Sequence, residues 1–219
     1  MMVSLQYIRA YQNKWPSIWV HGGGFLFILA LLTIGFMIGL VLRKVQKRLK
    51  LIEAVDAELA VAQELEKLRN LGCEIFHDMQ TGKFNIDHVV VGPGSVYAVE
   101  TKSRLKPTTD NRKADATVIF DEAMLRFPDW SESEIFDQTR NQAKWLAEKL
   151  SHSTGVPTSV KPVLALPMWF VKDNGKSDIL VINPRLADRL SRPHGQDITS
   201  TERIRTISYQ LEQLCTTKA

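Results

Sequence analysis

The longest apolar stretch comes early. No residue from Pro16 to Leu42 carries a formal charge, and the 25 residues Ile18–Leu42 are mostly Leu, Ile, Phe, Val, Met and Gly. At ~1.5 Å per residue this run exceeds the ~30 Å of a bilayer core. The pattern predicts a transmembrane helix at 18–42, after a polar-aromatic lead at 1–17 and before a basic neck at 43–52. Trp15 and Trp19 stand where an interfacial aromatic belt belongs. The run is too long for a cleaved signal peptide, and no small-residue cleavage site follows it.

Beyond the neck the periodicity changes repeatedly. Leu51, Val55, Ala62, Leu65 and Leu68 recur at helical spacing, with Gly72 as a stop. Cys73–Phe76 reads as a strand and Asp78–Lys83 as its polar connection to two short β-branched runs. These are His88–Val91 and Val96–Val99, separated by Gly92-Pro93-Gly94-Ser95, which predict a hairpin buried on both faces. Pro107–Asn111 reads as a loop, Thr117–Phe120 and Leu125–Phe127 as paired strands, and Ile135–Leu150 as an amphipathic helix. Lys161–Val171 reads as one strand interrupted at Pro167, and Ile179–Ile182 as another. A short helix at Pro184–Leu190 and a last one at Ser200–Cys215 complete the order. The sequence of elements predicts an α/β fold with a mixed sheet flanked by helices.

Polar residues interrupt the hairpin only at its open end. Strand side chains alternate, so Glu100 and Lys102 share one face and Thr101 the other. The start of one antiparallel strand lies beside the end of the next, which brings Asp87 toward Glu100. Two carboxylates beside an ammonium make a site of hard oxygen ligands, suited to Mg²⁺ or Mn²⁺. His88 follows Asp87 and faces the other way, as a packing residue.

The stretch NIDHVVVGPGSVYAVETK (85–102) resembles the signature of the nuclease-related domain, the NERD family of PD-(D/E)xK nuclease-like proteins. The resemblance covers roughly 53–190 and implies a restriction-endonuclease-like core, with 191–219 as a C-terminal helical segment. It implies that Asp87 and Glu100 hold Mg²⁺ (or Mn²⁺), that Lys102 assists attack by water, and that the substrate is a nucleic acid, DNA foremost. Glu58 falls on the apolar stripe of the first helix, where the family pattern also has a glutamate. It is expected to face the metal as a ligand or outer acceptor, against the alternative of a boundary residue reaching solvent. The family's Asn-Pro-x-x-Gln pattern is met here as Gln138-Thr139 followed by Gln142, so Gln142 is carried over as a polar group facing the site. The family's glycine soon after the lysine is missing, because no glycine lies between Gly94 and Gly155.

Charge changes this picture in one respect. Seven of the 28 bases lie in residues 1–50, which hold no acid, so 51–219 carry 21 bases against 24 acids. The net +4 therefore reports the membrane neck rather than a phosphate-binding surface. Five of those bases, Arg43 to Lys50, follow the apolar run, which predicts a single-pass inner-membrane protein with a cytoplasmic C-terminal domain. Gly35 and Gly39 form a GxxxG that would allow a homodimer through the span. Cys73 and Cys215 are read as buried thiols, not zinc ligands. The runner-up function is a membrane-tethered binding or scaffold domain of the same fold with little or no catalysis.

Overall fold

A computed structural model describes residues 3–105, 116–121, 124–174, 177–192 and 200–216, with side chains described from Phe25 to Cys215. The Pro107–Asn111 loop and the side chains of Trp15 and Trp19 lie outside the described residues. The chain divides into two units, 1–52 and 53–219.

Helix α1 (Val3–Glu66) supplies the whole described part of the first unit and enters the second. It contains the one segment among the described residues that is long and apolar enough to cross a membrane, with a mean hydropathy of 2.8 in its most apolar window and none of that window buried. Membrane spans and signal sequences share this character. Residues 3–17 of the expected lead and the whole of the neck are helical, as parts of α1.

In the second unit a five-stranded sheet runs β1-β2-β3-β7-β9, with β1 Glu74–Gln80, β2 Asn85–Val91, β3 Val96–Thr101, β7 Val160–Ala165 and β9 Leu180–Ile182. The first three strands are antiparallel, and β7 and β9 add in parallel. One face is covered by α1, through Val61 and Leu65, by the 3-10 turn Lys67–Leu71 that follows it, through Leu68, and by the 3-10 turn Pro184–Ser191, through Ala187 and Leu190. On the other face lie α2 (Ile135–Thr154) and α3 (Thr201–Thr216), packed through Ala143, Leu146, Leu150, Ile204, Ile207 and Leu211. Strand β3 and the His88–Val91 part of β2 are buried on both faces, as their continuously apolar sequence requires, whereas edge strand β1 alternates between buried and exposed residues.

A second sheet of four strands, β6-β5-β4-β8, is made by β4 Thr117–Asp121, β5 Met124–Arg126, β6 Ser131–Glu132 and β8 Phe170–Asp173. It buries Val118, Phe120 and Leu125 against Phe136, Leu164 and Trp169. The run 161–171, expected as one interrupted strand, is therefore two strands in two sheets. Pro167 and the left-handed Met168 (φ 71°) turn the chain between them. Trp169, fully buried, fixes that turn by donating its indole N–H to Arg104 O at 2.8 Å. Trp130, partly buried, stacks on Phe127 and meets Trp169 edge-on, so it packs against the core.

Three further expectations need correction. The stretch 78–80 is strand β1 rather than connection. The buried stripe of the first helix runs through Ala57, Val61, Leu65 and Leu68, while Leu51 and Val55 are exposed. Apolar residues occupy two neighbouring faces of this helix, so periodicity alone did not single out the face that meets the sheet. Of the thiols Cys73 is buried, its proton affinity pushed up to about 11 by burial, but Cys215 is exposed.

The β2–β3 turn leaves no room for side chains. A Cβ on Gly94 would lie 2.2 Å from Arg192 O, and one on Gly92 2.7 Å from Cys73 Sγ. Gly94→Ala is expected to destabilise the domain by ~2 kcal/mol or more, because the obstruction is backbone rather than a yielding side chain. Thermal or denaturant unfolding of the variant beside wild type checks this.

Candidate active site

The site forms where the sheet's central hairpin opens. The β2–β3 pairing runs from Val91↔Val96 to His88↔Val99 and stops there. One residue further on, the Asp87 carboxylate replaces a main-chain acceptor. Its Oδ2 takes the backbone N–H of Thr101 at 2.7 Å. On its other side β3 stays tied to β7, through Thr101↔Ala165 and Lys102 N–H to Ala165 O at 3.0 Å. Asp87, Glu100 and Lys102 are thus fixed on backbone that the core holds in place.

Glu100 is 3% exposed, and the structure surrounds its two oxygens with donors. Oε1 meets Lys102 Nζ at 2.7 Å and Gln138 Nε2 at 2.8 Å. Oε2 meets Gln142 Nε2 at 2.6 Å, and the same nitrogen lies 2.9 Å from Asn85 O. Burial of a carboxylate is costly unless hydrogen bonds and an opposite charge meet it. Here three nitrogen groups do so. Gln142 Oε1 is buried without a hydrogen-bond partner among the described residues, an acceptor with its hydrogen-bonding capacity unused.

Asp87 is less well compensated. Burial pushes its carboxyl up to about 7, nearby Glu100 adds to the rise, the Thr101 N–H opposes it, Glu58 raises it further and Lys102 lowers it. Glu58 is exposed at the surface. Its proton affinity is still raised, by partial burial first, then by Asp78 and Glu100, with Lys102 opposing. The structure therefore brings Asp87, Glu100, Lys102 and Gln142 together and puts Glu58 within electrostatic reach. Among the described residues no three His, Cys, Asp or Glu side chains gather closely enough to hold a metal ion between them, so Glu58 does not complete a ligand cage.

The carboxylates of Asp87 and Glu100 are hard oxygen donors, the type that Mg²⁺ takes one or two at a time while retaining several waters. A poorly compensated carboxylate beside a second one is the electrostatic setting a cation relieves.

Two neighbours of the site escaped the sequence reading. Asp78 lies across from Asp87 in a gap of the β1–β2 ladder, between His77↔His88 and Met79↔Ile86. It has a left-handed backbone (φ 48°), and Asn85 Nδ2 reaches its Oδ1 at 3.3 Å. Its only sequence signal was an acid beside an apolar strand. Gln138 had a stronger one, its one-turn spacing from Gln142.

His88 does pack on the other face, 3% exposed, with Nδ1 2.8 Å from His77 Nδ1. Burial, then His77, lower its basicity to about 4. His77 in turn meets Glu66 at 2.8 Å. Trp145 packs edge-on against Phe84.

An Asp, a Glu and a Lys converging at the opening of a mixed, helix-covered sheet define a PD-(D/E)xK nuclease-like domain. The nuclease-related domain (NERD) family model matches residues 54–167, and the chain belongs to that family. No curated protein and no solved structure matches the chain.

Proposed function

We propose that this protein is a membrane-anchored, metal-dependent nuclease that hydrolyses phosphodiester bonds of DNA. The observation that carries the reading is the ion pair between buried Glu100 and part-buried Lys102, 2.7 Å apart, beside a desolvated Asp87 at the sheet opening. Asp87 and Glu100 would hold Mg²⁺ or Mn²⁺. Bound there, the cation would polarise a phosphoryl oxygen and acidify water. Lys102 keeps 27% of its side chain exposed, so a cation stands at the solvent edge of the sheet opening. It would orient the attacking water and meet negative charge developing on the phosphate. Gln142, through its carbonyl oxygen, would accept a hydrogen bond from that water or from a metal-bound one and so help orient it.

The apolar segment 18–42 would be the anchor, and the bases Arg43–Lys50 would keep the catalytic domain cytoplasmic. A Cβ on Gly35 or Gly39 would meet nothing within 4 Å, so this face is open to a second copy of the helix.

The test is cleavage of single- and double-stranded DNA and of RNA by the full chain in lipid nanodiscs, with Mg²⁺, Mn²⁺, Ca²⁺ or EDTA. Cleavage of DNA that requires Mg²⁺ or Mn²⁺ is expected. One feature favours the scaffold reading instead, the 24 acids against 21 bases in residues 51–219. Calorimetry separates the two. Metal binding that Glu100→Gln abolishes supports the nuclease, and absence of binding supports the scaffold.

A further inference from the structure

The acceptors of Glu100 are met from two consecutive turns of α2. Gln142 reaches Oε2 and Gln138 reaches Oε1, at 2.6 and 2.8 Å. Residues four apart lie above one another on a helix face, so the two amides approach one carboxylate side by side. The Gln138 amide is bifunctional. Its nitrogen donates to Glu100, and its carbonyl oxygen lies 3.4 Å from Lys102 Nζ, a long contact that water exclusion would tighten. Its backbone is well anchored. Phe136 and Thr139 are buried on either side, and Thr139 Oγ1 bonds to Ile135 O at 3.0 Å. Next along, Arg140 forms a two-pronged ion pair with Asp178.

We propose that Gln138 is a positioning residue of this site. Together with Gln142 it clamps the Glu100 carboxylate in one orientation, and through its carbonyl it holds the Lys102 ammonium beside that carboxylate. Without it, Glu100 keeps Gln142 on one oxygen but is free to turn the other, and Lys102 loses its second acceptor. The inference rests on the nuclease reading for its catalytic consequence and on geometry alone for the clamp.

The test uses the full chain in nanodiscs and two substitutions. Gln138→Leu removes both polar ends. Gln138→Glu keeps an acceptor for Lys102 but turns the donor facing Glu100 into a like charge. Each is expected to lower kcat for DNA cleavage ~10–100-fold, the range typical of groups that orient a metal ligand, with KM changed less than ~3-fold. Mn²⁺ affinity, by calorimetry, should fall about tenfold in both variants. The ¹⁵Nζ signal of the Lys102 ammonium is expected to be detectable in wild type, to broaden or vanish in Gln138→Leu and to persist in Gln138→Glu. Thermal unfolding should move little, because Gln138 itself is exposed. Unchanged Mn²⁺ affinity together with an unchanged Lys102 signal in Gln138→Leu overturns the clamp. Should wild type itself cleave nothing, the nuclease reading fails, and these two binding measurements still decide the clamp.

Discussion

Asp87→Asn and Glu100→Gln are each expected to reduce metal-dependent DNA cleavage by ~10³-fold or more while leaving the domain folded. Either change removes one of the two anionic oxygens groups that would hold the cation. Loss of a single preorganised electrostatic group at a reacting centre costs ~10²–10³ in rate, and loss of a ligand adds the lost occupancy. The substitutions are nearly isosteric. Asn keeps an oxygen for the Thr101 N–H, the bond that closes the end of the hairpin. Gln at 100 leaves Lys102 without a carboxylate to meet, and its own amide nitrogen must face either Gln138 or Gln142. Some loss of stability is expected there, of the order of 1–3 kcal/mol for a buried group left unsatisfied. Single-turnover cleavage at saturating Mn²⁺, with circular dichroism of the same samples, checks both parts. Near wild-type cleavage in Asp87→Asn removes the proposed mechanism.

The same aspartate sets the second large effect, on stability as a function of pH. Its folded-state value is about 7, against ~4 for an unfolded chain. A raised carboxyl means the folded state binds the proton more tightly. The metal-free domain is therefore favoured at low pH by this group, and that advantage disappears as pH rises from ~4 to ~7. About three units correspond to ~4 kcal/mol as an upper bound, and ~2–3 kcal/mol is the expected size at a partly hydrated site. Asp87→Asn cannot titrate. In EDTA it should exceed wild type in stability by that amount at pH 8 and match it near pH 4. Mg²⁺ at pH 8 should close the gap by stabilising wild type alone, through binding to the folded state. Denaturant unfolding at the two pH values, with and without Mg²⁺, measures each quantity. A wild type that gains stability relative to Asp87→Asn between pH 4 and 7 contradicts the assignment.

Much of this site was readable in the chain. Continuous β-branched runs around a Gly-Pro-Gly-Ser turn require a hairpin buried on both faces, and two-residue alternation then puts Glu100 and Lys102 on one side of it. That argument is local. It needs only the pleat and the turn, and the 2.7 Å Glu100–Lys102 pair shows the outcome. The approach of Asp87 to the same corner follows from antiparallel register, again a local rule.

Legibility ended where one surface had to be chosen among several. The first helix has apolar residues on two adjoining faces, and the one that packs is chosen by the sheet beneath it. Val55 is exposed for that reason, and Glu58, itself exposed, meets the site through its electrostatic field. Gln138 is a polar residue near the start of an amphipathic helix, and its one-turn spacing from Gln142 does not by itself distinguish it from a solvated one. It acquires a role only because α2 is laid across the end of β3, 38 residues away in sequence.

By itself, then, the sequence determined the elements that depend on short-range periodicity. These are an uncharged helix long enough for a bilayer, a central hairpin, and an acid–acid–base corner at its open end. Tertiary structure alone decided that the run 161–171 feeds two sheets, which face of α1 is buried, and which amides reach Glu100. The physical reason is range. Alternation and helical pitch act over a few residues, whereas desolvation and hydrogen-bond completion of a buried charge depend on whatever distant segments the fold packs around it.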